Sequence, residues 1–236
     1  MLKFNHMINE GVTPDIVVFS SLVCGLCTVG KWEKAEELFS EMLNKGVRPN
    51  SMFFTPIMCN FCREGRVTEA QSLLDLMVRV GVMPDVISYN TLIDGYCLAG
   101  RMKEAMKLLD DMVRVGLKPN VISYSTLLHG YCRAGRVDDA IRLFREMLSN
   151  KVRPEIVSYT IVLQGLFQSR KFSEAKEFYL NMIKSGMQLD IYTYNIILNG
   201  LCKKKSVDEA CEIFQSLCSK DFQLNIITFS IMIHYD

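Results

Sequence analysis

Two hydrophobic patterns alternate along the chain without a break. In VISYNTLIDGYCLAG (86–100), Tyr89, Leu92, Ile93 and Tyr96 stand at i, i+3, i+4 and i+7, the spacing that puts side chains on one face of an α-helix. Ser88 lies just ahead of that face and is the expected N-cap, while Gly100 supplies the stop. RMKEAMKLLDDMVRVG (101–116) then sets Met102, Ala105, Met106, Leu109, Met112 and Val113 on the apolar face of a second helix, expected to end before Gly116. The segment Leu117-Lys118-Pro119-Asn120 cannot continue that helix, because Pro119 has no amide hydrogen and pushes Lys118 toward extended backbone.

This helix pair is one copy of a repeat. Ala35, Ala70, Ala105, Ala140, Ala175 and Ala210 fall at intervals of 35 residues. In phase run Met42, Met77, Met112, Met147, Met182 and Leu217, and the aromatics Phe19, Phe54, Tyr89, Tyr124, Tyr159, Tyr194 and Phe229. A fixed period of this length marks a row of supersecondary units rather than one globular core. Six complete units are expected at 16–50, 51–85, 86–120, 121–155, 156–190 and 191–225, with a second-helix half unit at 1–15 and a first-helix half unit at 226–236. The expected fold is therefore all-α, a right-handed α-solenoid (superhelix) of antiparallel helix-turn-helix repeats, and the half units point to a longer array. Each pair buries its apolar face only against its neighbours, so the exposed ends are candidate surfaces for self-association. The last two units are expected to have looser or longer-helical turns, since Arg170 and Lys205 replace Gly65 and Gly135, and Leu189 and Leu224 replace Pro154.

Composition narrows the function only slightly. Hydrophobic residues make up 49% of the chain, enough for a row of small cores, and a net charge of +1 means that any polyanion-binding surface must be a local patch. The apolar runs are too short and too interrupted to cross a bilayer. The opening MLKFNHMINE has neither a secretory apolar core nor the Arg/Ser richness of a transit peptide.

Other chemistry is weakly signalled. The nine cysteines sit mostly inside apolar helical patterns, which suggests reduced, packed thiols. Cys24-x-x-Cys27 and Cys59-x-x-Cys62 have the local spacing of zinc ligands, but they repeat the 35-residue period, and Cys27, Cys62, Cys97, Cys132 and Cys202 occupy one equivalent helical position. Packing as small hydrophobes accounts for them, and no metal or other cofactor is expected. Gly25 to Lys31 nearly matches a phosphate loop, yet Trp32 stands where a magnesium-binding hydroxyl is needed. His6, His129 and His234 have no consistent spacing to a nucleophile or paired carboxylate, so a protein without catalytic activity is expected.

The repeat, best seen in SYNTLIDGYCLAGRMKEAMKLLDDM and SYSTLLHGYCRAGRVDDAIRLFREML, resembles the pentatricopeptide repeat family, in its plain 35-residue class, over essentially the whole chain. Within that family it looks like the fertility-restorer-like group of plant organelles. The tetratricopeptide repeat, with its period of 34, fits less well. The resemblance implies sequence-specific binding of single-stranded RNA, one base per repeat, in the stability, processing or translation of an organellar transcript. A mitochondrial location is implied, with the chloroplast as the alternative, and RNA-processing proteins as further partners.

Carried over residue by residue, the base-reading positions are the fifth residue of each unit, Ser20, Thr55, Asn90, Ser125, Thr160, Asn195 and Ser230, and the closing residue, Asn50, Asp85, Asn120, Glu155, Asp190 and Asn225. A carboxylate can accept from the ring N–H of guanine or uracil, and an asparagine amide can donate to the bare ring nitrogen of adenine or cytosine. The family resemblance implies that the fifth residue separates purines from pyrimidines. With the chain running parallel to RNA 5′ to 3′, the pairs spell A-G-C-N-G-C/U, where Glu155 leaves the fourth base unassigned. The second residues Val17, Met52, Ile87, Ile122, Val157, Tyr192 and Ile227 would sandwich bases, and Arg63, Arg133 and Lys203 would contact phosphates. Helix capping and turn chemistry at the polar positions, core packing at the apolar ones and ordinary solvation of the cations are the competing explanations. A scaffold whose groove holds an extended peptide is the alternative function.

Overall fold

The computed structural model describes residues 2–219 and 222–235, and among them it contains fourteen α-helices and no strand. Met1, Lys220, Asp221 and Asp236, which fall in the units assigned to 1–15, 191–225 and 226–236, lie outside the described residues. In chain order the helices are α1 (Leu2–Asn9), α2 (Ile16–Thr28), α3 (Trp32–Asn44), α4 (Ser51–Arg63), α5 (Val67–Arg79), α6 (Val86–Leu98) and α7 (Met102–Arg114). They continue as α8 (Val121–Arg133), α9 (Val137–Ser149), α10 (Ile156–Gln168), α11 (Phe172–Lys184), α12 (Ile191–Lys203), α13 (Val207–Ser219) and α14 (Ile226–Tyr235). No helix of the described residues is long and apolar enough to cross a membrane.

The chain forms two compact units, residues 1–127 and 128–236, with α8 running through the boundary. In the first, α2, α4 and α6 pack on one another in sequence, and each also packs on the second helix of its own pair, α3, α5 or α7. The second repeats the arrangement, with α10, α12 and α14 in one row and α11 and α13 as partners of the first two.

Alanines and methionines at the 35-residue register form the seams of both units. Ala70, Ala105, Ala140, Ala175 and Ala210 are fully buried, as are Met42, Met77, Met112, Met147 and Met182. The small side chain lets the second helix approach closely, and methionine fills the space between pairs. First helices also approach one another closely. A Cβ on Gly95 of α6 would overlap Cys62 Sγ of α4 and stand 2.9 Å from Cys62 Cβ, and one on Gly165 of α10 would stand 2.5 Å from Cys132 Sγ.

Three sequence expectations need correction. Ser88 is not the N-cap of α6. The helix begins three residues earlier, at Val86, capped by Asp85, whose side chain accepts from the Ser88 N–H, and Ser88 lies fully buried inside the first turn. Val113 is exposed, and the buried face of α7 instead includes Leu108, so the contact stripe is Met102, Ala105, Leu108, Leu109 and Met112. The late turns are neither looser nor longer. Every helix from α2 to α13 has 13 residues. Arg170 and Lys205 adopt φ of 58° and 66°, close to the 76° of Gly65 and 69° of Gly135.

The turn survives those substitutions because the backbone bonds that define it do. The next residue's N–H returns to the carbonyl five residues earlier in the glycine turns, Arg66 to Phe61 at 2.8 Å and Arg136 to Tyr131 at 2.9 Å. The same bond joins Lys171 to Leu166 and Ser206 to Leu201, at 2.9 and 3.0 Å. Packing of the flanking helices holds this left-handed helix stop even where a side chain makes it costly. Leu189, in the place of a proline, is buried and fills the same interior position as Pro154.

Candidate nucleic-acid interface

The closing residue of each unit is the N-cap of the next unit's first helix. Oδ1 of Asn50 accepts from the Phe53 N–H at 3.1 Å, and Oδ1 of Asp85 from the Ser88 N–H at 2.8 Å. Oδ1 of Asn120, Asp190 and Asn225 does the same with Ser123, Thr193 and Thr228, at 3.0, 2.8 and 3.0 Å. Capping and base reading are therefore compatible rather than alternative. A cap uses one oxygen, and because Oδ1 of an asparagine must face the backbone N–H, its remaining polar atom is the NH2 donor. For aspartate the remaining atom is an acceptor oxygen. Helix capping thus fixes the sign of the hydrogen bond that Asn50, Asp85, Asn120, Asp190 and Asn225 offer. Glu155, one methylene longer, makes no side-chain cap bond.

The fifth residues lie beside the closing ones. Asn90 Nδ2 donates to Asn120 Oδ1 at 3.4 Å, and Asn195 Nδ2 to Asn225 Oδ1 at 3.3 Å. Both asparagines keep a buried side-chain oxygen without a hydrogen-bond partner among the described residues. In the threonine units the link runs through a third residue. Thr55 Oγ1 is 3.2 Å from Ser88 Oγ, which is 3.0 Å from Asp85 Oδ1, and Thr160 Oγ1 is 3.0 Å from Thr193 Oγ1, itself 2.7 Å from Asp190 Oδ1. Ser20 and Ser125 are half-buried in α2 and α8, and Ser230 is exposed in α14, its hydroxyl donating to the Ile226 carbonyl.

Burial alone would raise the Asp85 pKa. Hydrogen bonds from the Ser88 N–H and hydroxyl, the Ser51 hydroxyl and the Ile87 N–H outweigh it and hold the carboxyl below its ordinary range. Asp85 is a carboxylate at neutral pH and can only accept.

The second residues are not core. Val17, Met52, Ile87, Ile122, Val157, Tyr192 and Ile227 are between 56% and 73% exposed, which removes interior packing as their explanation. Each stands three residues before a fifth residue and so shares its helix face. Two clefts collect these groups. One, of about 240 Å³, is lined by Met52, Thr55, Asp85 and Ile87, with Ser51 and Pro56. The other, of about 210 Å³, is lined by Val157, Thr160, Asp190 and Tyr192, with His129, Ile156, Ile161 and Gln164. Each cleft sets two exposed apolar side chains beside a hydroxyl and a carboxylate.

Arg63, Arg133 and Lys203 are exposed at the last residues of α4, α8 and α12, and form no ion pair among the described residues. Cations there also interact favourably with the helix C-terminus. Arg66, Arg101 and Arg136 are committed elsewhere: each guanidinium lies 4.7 to 5.0 Å over the ring of Phe61, Tyr96 or Tyr131 and pairs with Glu69, Glu104 or Asp139.

The site also contains residues that sequence reasoning passed over. The third-residue hydroxyls Ser88, Ser123, Thr193 and Thr228 are fully buried and bonded to a closing residue. Their signal was a polar residue recurring at a core-facing position every 35 residues. His129 and Gln164, in the second cleft, belong to a position with no regular chemistry from unit to unit and gave no signal.

Stacked helix pairs, each presenting the same solvent-facing row of side chains, define an α-solenoid of the repeat-protein class. The sequence profile of the PPR repeat family matches residues 14–52, 49–97, 84–133, 120–167, 154–203 and 191–235, and the chain belongs to that family. It is similar to the crystal structure of the pentatricopeptide repeat protein PPR10 from maize, with a TM-score of 0.74 and 27% identity over 97% of this chain. It is also similar to PPR10 in complex with an 18-nt psaJ RNA element, with a TM-score of 0.69 and 28% identity over 93% of this chain. The chain spans 33% of the length of the maize protein. The PPR domain of Arabidopsis thaliana protein-only RNase P 1, in complex with tRNA, shares the fold at a TM-score of 0.56 and 18% identity, over 74% of this chain and 92% of that one. No curated protein matches the chain.

Proposed function

We propose that the chain binds single-stranded RNA sequence-specifically, one base per helix pair, and acts by occupying its site rather than by catalysis. The observation that carries this reading is the composition of the two clefts, where Met52 and Ile87 flank Thr55 and Asp85, and Val157 and Tyr192 flank Thr160 and Asp190. Exposed apolar and aromatic side chains are costly in water and stack on any base, while the polar pair reads an edge. The similarity to a maize protein solved in complex with an RNA element supports the same reading.

The preferred RNA is A-G-C-N-G-C/U, read 5′ to 3′ by Ser20/Asn50, Thr55/Asp85, Asn90/Asn120, the unassigned fourth unit, Thr160/Asp190 and Asn195/Asn225. Val17, Ile122 and Ile227 extend the stacking row, and Arg63, Arg133 and Lys203 contact phosphates. By its likeness to the fertility-restorer-like group, the protein acts in the mitochondrion on the stability, processing or translation of a transcript, which imaging of a fluorescent fusion of the full-length protein in plant cells tests. The binding test is fluorescence anisotropy with labelled RNA carrying A-G-C-N-G-C, beside a scrambled RNA and the DNA of the same sequence. Cognate RNA binds most tightly under this proposal. Equal binding of all three, or a selection from random RNA that enriches an unrelated motif, overturns it.

A further inference from the structure

We propose that the buried third-residue hydroxyls Ser88, Ser123, Thr193 and Thr228 are positioning residues for base reading, locking the closing residue and, in the threonine units, fixing which way the fifth residue's proton points. The inference rests on the base-reading function proposed above and deepens it. All four side chains are fully buried, and each donates its hydroxyl proton to Oδ1 of the closing residue three positions before it, at 3.0, 3.2, 2.7 and 3.0 Å. With the N–H of the same residue bonded to that oxygen as well, the carboxylate or amide is held by two bonds on one side and cannot rotate without breaking both.

Proton direction follows by elimination. A carboxylate only accepts, so the Ser88 hydroxyl must donate to Asp85. Ser88 Oγ then has only lone pairs for Thr55, and Thr55 must donate its proton inward across the 3.2 Å contact. In the second cleft Thr193 donates to Asp190, and the single proton of Thr160 lies between Thr193 Oγ1 at 3.0 Å and the Ile156 carbonyl at 2.7 Å, inward in either case. In both units the reading pair itself therefore turns only acceptors toward the cleft: a carboxylate oxygen and the lone pairs of a threonine. Guanine is the base whose pairing edge offers two adjacent donors, a ring N–H and an amine. Uracil offers one, and adenine and cytosine set their amine beside a bare ring nitrogen. The relay through Ser88 gives the Thr55 unit a physical reason to prefer guanine that threonine and aspartate alone do not supply, since a free hydroxyl can rotate to donate; in the Thr160 unit the Ile156 carbonyl shares that task with Thr193. One unit provides a natural contrast: Asn50 faces Phe53, which has no hydroxyl, and is held by the backbone bond alone.

The test uses the whole chain and A-G-C-N-G-C RNA in which nucleotide 2, opposite Thr55/Asp85, is G, A, C, U or inosine, the last being guanine without its amine. Wild type, Ser88→Ala and Ser88→Thr are compared by anisotropy. The proposal expects Ser88→Ala to lose roughly tenfold of the preference for G over the other bases at nucleotide 2, the worth of one well-placed hydrogen bond. G and inosine become nearly equivalent there, selectivity for G at nucleotide 5 is unchanged, and Ser88→Thr restores the wild-type pattern. Retained selectivity at nucleotide 5 reports that the variant is folded. Undiminished preference for G at nucleotide 2 in Ser88→Ala overturns the inference while leaving base reading intact. A wild type with no preference at nucleotide 2 overturns both.

Discussion

The close approach of neighbouring first helices makes opposite predictions for one substitution at two equivalent positions. Gly25 and Gly95 are both the tenth residue of their units, in α2 and α6. A Cβ on Gly25 meets nothing within 4 Å, whereas one on Gly95 overlaps Cys62 Sγ, stands 2.9 Å from Cys62 Cβ and is 3.4 Å from a methyl of Val67. Residues 1–15 supply no first helix to pack against α2, so in this chain Gly25→Ala changes only the helix propensity and should stabilise by about 0.5–1 kcal/mol. Gly95→Ala gains the same propensity but must push α4 and α6 apart or displace Cys62, which is buried. Overpacking of that kind costs about 1–3 kcal/mol, leaving a net loss of up to about 2.5 kcal/mol. For a chain of this size 1 kcal/mol moves the melting midpoint by about 2–4 °C, so the two variants should lie on opposite sides of wild type. Circular-dichroism melts and urea titrations measure the difference. Removing the nearest obstacle with Cys62→Ala should make Gly95→Ala less costly than in the wild-type background, a coupling of at least about 0.5 kcal/mol. If both glycine substitutions stabilise, or the cysteine change leaves the cost of Gly95→Ala unaltered, the packing argument is wrong.

Other consequences are as direct. Glu155→Asp brings a carboxylate within reach of the Ser158 N–H at the α10 N-terminus and should raise stability by about 0.5–1 kcal/mol in urea titration. Burial pushes the Cys27 and Cys132 thiols up to about 11 and Cys62 up to about 12, so a thiol reagent at pH 8 should label exposed Cys218 first and reach the other three only on unfolding, as mass spectrometry of a labelling time course would report. With three phosphate contacts the affinity for single-stranded RNA should fall with salt at a log–log slope of about −2, and Arg63→Ala should reduce the slope by about 0.7 without changing base preference.

The architecture was legible because its signal is repeated. A single Tyr89, Leu92, Ile93, Tyr96 stripe fits many helical proteins, but the same stripe returning with Ala105 and Met112 at a fixed period leaves few folds. What the sequence hid lies one step below the pattern. Ser88 reads as an N-cap because serine ahead of an apolar run usually is one, yet Asp85 already holds that position, and the serine is free to turn inward. Val113 reads as core because heptad-like spacing does not resolve which edge of a broad apolar stripe meets the neighbour. Arg170 and Lys205 read as lost turns because glycine is the easy occupant of left-handed backbone, and only the bonds across the turn reveal that the conformation is imposed from both sides. In the candidate site, sequence alone left the second residues divided between core and surface. Their exposure, beside Thr55 and Asp85 in one cleft and Thr160 and Asp190 in another, goes with the burial of the residue that follows each of them, Phe53, Ser88, Ser158 and Thr193.

The central claim is that the fifth and closing residues read bases, and a paired substitution tests it most directly. In Thr55→Asn/Thr160→Asn both clefts keep their aspartate and their flanking apolar side chains but exchange the hydroxyl for an amide. Anisotropy with A-G-C-N-G-C and A-U-C-N-U-C RNAs should show the wild type preferring the first and the variant the second. A variant that still prefers guanine at both nucleotides, or two proteins that bind both RNAs alike, would contradict the account.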